Sequence, residues 1–227
     1  RYFYENGWSD GLPIVPPTRD RVEAFLKFTD LGPDTVLGQA QPDNRIATVW
    51  GAAVNGVMAG CRPEYMPVMV AALRAMCNED YGVEHSGNTP GAETLMIVNG
   101  PITQDLGMNN AQGALRDGVQ ANTSLGRSWR LCLKNIAGFR HHQTDKATFG
   151  GTWKVAMAEH EDTLEEINWP PFAAEFGHKA GENALSIARF TGGDVVTSVL
   201  ASNAEEILPY LGDALVRISA WQLVFTV

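Results

Sequence analysis

An α/β fold, with a mixed sheet and packed helices, is predicted by three features of the sequence. Apolar residues recur at helical spacing, most clearly Met66, Met69, Val70, Leu73, Met76 and Cys77. Short apolar or alternating runs, such as residues 94–98, lie between these stripes and end in turn residues like Asn99-Gly100-Pro101. The composition, 44% hydrophobic and 19% charged over 227 residues, is that of a globular chain able to bury a sizeable core.

Gly7-Trp8-Ser9-Asp10-Gly11-Leu12-Pro13 opens an extended segment, stiffened by Pro16 and Pro17, which fix their own φ angles and bias the residues before them away from helix. Thr18 is expected to cap a short helix with Val22, Phe25 and Leu26 inward. Residues 31–44 are turn-rich and read as loop. A small-residue helix follows over 46–60, with Ala52, Ala53, Gly56 and Ala59 permitting close backbone approach. The Met-rich helix comes next, with Pro63 and Pro67 suited only to its first turn. From Asn122 another helix turns Leu125, Trp129, Cys132 and Ile136 inward, while Arg127, Arg130 and Lys134 face solvent or a site. Residues 152–158 alternate like a half-buried strand, and 183–190 form a further strand. Ser202 to Glu205 forms a capping box opening a helix through Leu211, and residues 214–227 end the chain in strand-like sequence. No repeat or low-complexity linker divides the chain. Residues 1–227 are therefore read as one domain, with 140–150 as the place where a subdivision would fall.

The net charge of −9 excludes non-specific nucleic-acid binding, which needs a basic surface to displace counterions. No apolar stretch approaches the ~20 residues that span a bilayer, so no membrane partner is expected. The chain begins at Arg1 without a methionine, which leaves room for a leader or a few further residues ahead of it. Its three cysteines, Cys61, Cys77 and Cys132, form no CxxC and suit a reducing, cytoplasmic setting. GxGxxG, GxxxxGK[ST] and GxSxG are absent, so neither a dinucleotide or P-loop site nor a serine-hydrolase elbow is indicated, and the cofactor stays unknown.

Cys61, in Gly60-Cys61-Arg62-Pro63-Glu64, precedes a predicted helix. A helix amino end and the Arg62 cation both favour thiolate, which marks Cys61 as a candidate nucleophile or redox centre; the competing reading is a small buried residue at a helix corner. Cys77 and Cys132 fall on apolar faces and read as core. Glu64, and His85 in the loop of residues 82–90, are candidate proton-transfer groups, and Lys154 with Glu159 and His160 is a second such group. Asn55, Arg62, Asn122 and Arg127 are candidate substrate contacts, the arginines as anchors for an anion. His141, His142 and Asp145 are conceivable metal ligands, but adjacent histidines point apart unless the chain turns sharply. His178 stands alone, no recognised ligand spacing occurs, and no metal ligand is assigned.

Four segments carry a resemblance: residues 7–18 (GWSDGLPIVPPT), 55–73 (NGVMAGCRPEYMPVMVAAL), 97–102 (IVNGPI) and 121–138 (ANTSLGRSWRLCLKNIAG). Together they resemble the UGSC family of bacterial (seleno)proteins, across most of residues 7–138 and only weakly beyond residue 150. The family's name comes from selenocysteine or cysteine followed by Gly-Ser-Cys, a motif that implies thiol or selenol chemistry. This chain has no Cys-Gly-Ser-Cys, so the resemblance implies a subunit or domain of a composite enzyme whose motif lies on a partner or an extension.

Three expectations follow. The first is an enzyme subunit acting on a small polar or anionic molecule through a thiol-centred site, by reductive or lytic cleavage or by hydrolysis. The second is a metal-dependent enzyme using His141, His142, Glu159 or His160. The third is a non-catalytic scaffold that binds a motif-bearing partner. The small-residue stretch suits a homo- or hetero-oligomer in all three.

Overall fold

The computed structural model describes residues 1–148, 155–190 and 202–219. The chain divides into two compact units, Arg1–Gly192 and Gly193–Val227. In the first unit the order is α1 (Tyr2–Glu5), α2 (Arg19–Leu26), β1 (Val36–Ala40), β2 (Arg45–Thr48), α3 (Val49–Ala59), α4 (Met66–Met76), β3 (Glu93–Asn99), α5 (Ile102–Asp105), α6 (Gln120–Cys132), β4 (Ala156–Ala158), α7 (Glu161–Glu166) and β5 (Ala184–Phe190). The described part of the second unit is one helix, α8 (Ala204–Ser219). No helix among the described residues is long and apolar enough to cross a membrane.

The α/β class is as expected. β3 lies at the centre of a three-stranded mixed sheet of order β4-β3-β5, parallel to β4 and antiparallel to β5. It is buried along nearly its whole length, between β4, on which α6 packs, and β5, on which α4 packs. α3 runs through the middle of the helical layer, packed on α6, α2 and α4. Its small residues make that possible: a Cβ on Gly56 would lie 2.1 Å from Met69 Cε. Val49, Ala52, Ala53, Leu73, Leu125, Trp129 and Leu133 are among the residues of the core they share.

Several local expectations are corrected. Residues 31–44 are not all loop, since β1 pairs antiparallel with β2 there. β2 in turn takes the residues expected to begin the small-residue helix, and α3 starts only at Val49, where the Thr48 side chain accepts the Gly51 N–H at 3.1 Å. Ile46, 56% exposed, lies on the outer face of the hairpin, while Ala52, Ala53, Gly56 and Ala59 fall in α3 as expected. Thr18 occupies the cap position of α2 in extended geometry, yet its side chain makes no capping hydrogen bond. The capping box of α8 sits one residue later than expected. Asn203 accepts the Glu206 N–H at 3.0 Å and donates back to the Glu206 carboxylate at 3.0 Å. Residues 214–219 continue α8 instead of forming a strand, because Leu208, Leu211 and Leu215 keep a helical repeat that outweighs the β-branched residues beside them. The strand expected over 152–158 is present as β4; Trp153 lies outside the described residues, as does the end of the chain after Ser219.

Candidate functional site

The amino-terminal segment is tied to α6 by one arginine. Arg127 donates from Nε to Asp10 Oδ2 at 3.0 Å and from Nη2 to Asp10 Oδ1 at 2.9 Å, and also reaches the Pro13 carbonyl at 2.8 Å. Burial pushes the Asp10 carboxyl up, but the hydrogen bonds and charge of Arg127 more than offset it and hold it below the usual range. This pairing uses the guanidinium fork that an anionic substrate would need. Arg127 therefore positions the chain's opening segment and is not free to anchor a substrate.

Asn55 and Asn122 are likewise committed. Asn55 is buried, donates to the Gly51 carbonyl at 2.9 Å and accepts from Asn135 Nδ2 at 2.8 Å. Asn122, wholly buried, accepts the Asn109 N–H at 2.8 Å and donates to the carbonyls of Asn109 (3.0 Å) and Ala156 (2.8 Å). Its amide joins α6 to β4 and has no lone polar atom left for a ligand.

Cys61 departs from its expected electrostatics. It sits at the carboxyl end of α3, where Gly60 adopts φ 83° and the Cys61 N–H closes on the Gly56 carbonyl at 2.9 Å. The next α-helical residue is Met66, after a 3-10 turn over Pro63–Tyr65. The nearest helix end thus presents carbonyls, the negative end of the dipole. The thiol points inward and donates to the Ser124 carbonyl at 3.2 Å. Burial pushes it up to about 12, and hydrogen bonding at Ser124 and Ser128 and the charge of Arg127 offset only part of that. Arg62, expected to help, instead pairs with Glu64 at 2.7 Å on the surface. Burial also pushes Cys77 up to about 11 and raises Cys132 further.

The remaining candidates are dispersed. His85 is 66% exposed in the turn Val83–Gly87 and faces Glu84 at 3.6 Å. Glu159 accepts from Asn99 Nδ2 at 2.6 Å and the Phe172 N–H at 2.8 Å, tying the end of β3 to the turn Phe172–Phe176. His160 caps α7 through its Nδ1, which accepts the Thr163 N–H at 3.2 Å. Lys154 lies outside the described residues. The sharp turn that His141 and His142 would need for a shared metal is present, with His142 at φ 66° and its N–H on the Asp145 carbonyl at 3.0 Å. Even so, no three His, Cys, Asp or Glu side chains gather to hold a metal among the described residues.

The structure instead assembles a different site beside these histidines. α6 ends in a π-helical turn, Leu133–Ala137, which turns Lys134 and Asn135 outward. Such turns are rare and concentrate at functional sites. Lys134 and Asn135 line a cleft of about 450 Å³ with Asn6, Gly7, Trp8, Arg45, Arg140 and His141. Three fixed cations and no carboxylate line this cleft in a chain of net charge −9. Asp43 stands behind two of them and takes Arg45 Nη2 at 2.7 Å and Arg140 Nη2 at 3.2 Å on one oxygen, Oδ2. Arg45 also donates to the Asn135 carbonyl at 3.2 Å, and Asn135 Nδ2 reaches the Trp8 carbonyl at 3.1 Å. Lys134 has no ion pair or side-chain hydrogen bond among the described residues.

Backbone geometry holds this arrangement in place. Gly138, at φ 92°, lets Asp43 approach so closely that a Cβ there would lie 2.3 Å from Asp43 Cγ. The loop beyond is wound around Arg140, whose carbonyl accepts the N–H groups of Gln143, Thr144 and Asp145 at 2.9–3.2 Å. His141 Nδ1 lies 3.9 Å from Asp145 Oδ2, within ion-pair range but beyond a hydrogen bond.

No family model, curated protein or solved structure matches the chain. The site therefore stands on its geometry. Of its residues the sequence flags Lys134, as facing solvent or a site, and His141, as a conceivable metal ligand. Arg45 and Arg140 carry no local signal, since they are about a hundred residues apart and meet only through Asp43. Asn55, expected to touch substrate, instead orients Asn135 from behind the cleft.

Proposed function

We propose that this chain is the anion-binding part of a composite enzyme, and that it receives a small anionic molecule in the cleft of Arg45, Lys134 and Arg140. The carrying observation is the gathering of three cations, one of them unpaired, on a π-helical turn in an acidic protein. Arg45 and Arg140 each give Asp43 one nitrogen, Nη2, and keep further N–H groups suited to carboxylate or phosphate oxygens. Lys134 adds a mobile point charge. His141, with Asp145 behind its Nδ1, has its other nitrogen available for proton transfer at the rim.

The thiol-centred reading of Cys61 loses its support, because a thiol at about 12 that donates to a carbonyl is a poor nucleophile at neutral pH. Any thiol step that the UGSC resemblance implies then belongs to a motif outside these residues. Partnership also suits the exposed aromatic surface of Tyr2, Tyr4 and Trp8 around the opening segment. Three unpaired cysteines suit work in the cytoplasm.

The test is amide chemical-shift mapping during titration with acetate and, separately, inorganic phosphate. Saturable shifts centred on Lys134, Asn135, Arg140 and His141 support the reading. Shifts absent there, or spread over the surface without saturation, contradict it.

A further inference from the structure

A second hollow of about 140 Å³ shares Lys134 and His141 with the cationic cleft and is otherwise lined by Asp10, Arg130, Leu133, Phe139 and Asp145. Its charges are matched. Asp10 is bound by Arg127, and Arg130 lies between Glu93 (3.2 Å) and Asp145 (4.0 Å). Leu133 and Phe139, both buried, give it an apolar wall. One flank of Lys134 and His141 is therefore strongly cationic, and the other is neutral and partly apolar.

On the reading that the cleft binds an anion, we propose that its ligand is a short acid with a single anionic group, whose head meets Arg45, Lys134 and Arg140 and whose uncharged body enters the second hollow. A second carboxylate on the body would meet Asp10 and Asp145, while Arg130 is held by Glu93 and Asp145 and Lys134 is already engaged by the head. A hollow of about 140 Å³ takes roughly four or five groups of water size at ~30 Å³ each, so the body is short. Lys134 and His141 stand where head and body join. The α-carbon region of the ligand is thereby placed beside the two side chains able to move a proton.

The test compares acetate, butyrate, octanoate and succinate by shift titration of the wild-type chain. Each methylene buried is worth about 0.8 kcal/mol, roughly a fourfold gain. Butyrate, with two more methylenes, is expected to bind about fifteenfold more tightly than acetate, octanoate no better than butyrate, and succinate more weakly than butyrate. Equal affinities for acetate and butyrate, or succinate as the tightest ligand, overturn the inference while leaving the anion-binding reading intact. Failure of all four carboxylates and of phosphate to bind overturns both.

Discussion

Arg127 grips Asp10 through two parallel hydrogen bonds, Nε to Oδ2 at 3.0 Å and Nη2 to Oδ1 at 2.9 Å, across 117 positions of sequence. The side chains are 16% and 10% exposed, so the pair is screened from water. It fixes the opening segment, whose Gly7 and Trp8 form part of the cationic cleft. The arginine expected to hold substrate instead holds the chain that shapes the site.

Arg127→Ala leaves the largely buried Asp10 carboxylate without its ion pair, and is expected to lower stability by about 3 kcal/mol. Chemical denaturation at pH 7 measures it. The Asp10 carboxyl is held below its ordinary value in the fold, so its contribution is complete above the unfolded value near 3.9 and is lost as pH falls through the lower folded one. The wild type should therefore lose this stability in acid, and the variant should show a flatter acid limb.

Alkylation reports on the cysteines. With Cys61 raised to about 12 and Cys77 to about 11, iodoacetamide should label folded protein slowly at pH 8 and quickly once it is unfolded. The unfolded thiols ionise near 8.5 while the folded ones stay protonated, so stability should fall as pH rises above about 8.5. Rapid labelling of folded Cys61 would restore the thiol-centred site. Cys61→Ala should cost only about 1 kcal/mol and leave acetate binding unchanged.

Gly138→Ala is expected to act on the cleft without touching its lining. The new Cβ would overlap Asp43 and would stand at a left-handed φ. Displacing Asp43 separates Arg45 from Arg140, so acetate affinity should fall severalfold, with a stability loss of about 2 kcal/mol. Denaturation and shift titration of the same variant separate the two effects.

The fold was legible where one periodicity ruled a segment. The Met66–Met76 helix and the β3 run carry patterns that burial on one or both sides demands. The β1–β2 hairpin was not legible, because Arg45 and Ile46 face water and the spacing of Ile46 also fits the helix that follows. The site was less legible still. Asn55, Asn122 and Arg127 are polar residues on apolar elements, a pattern equally produced by a ligand site and by an internal hydrogen-bond network. Only their partners, Asn135, Asn109 and Asp10, decide between the two. The cationic cleft joins a hairpin, a π-helical turn and a loop, and no local pattern announces such a meeting.

The most direct measurement of the central claim is calorimetric titration of butyrate into the wild type and into a Lys134→Gln/Arg140→Gln protein, at low and at moderate salt. Both replaced side chains are partly solvent-facing, so the double variant should fold normally. Its affinity should fall at least tenfold, about 1.4 kcal/mol, and wild-type binding should weaken with salt as an attraction between charges does. Equal affinity in the two proteins, or binding indifferent to salt, would contradict the account.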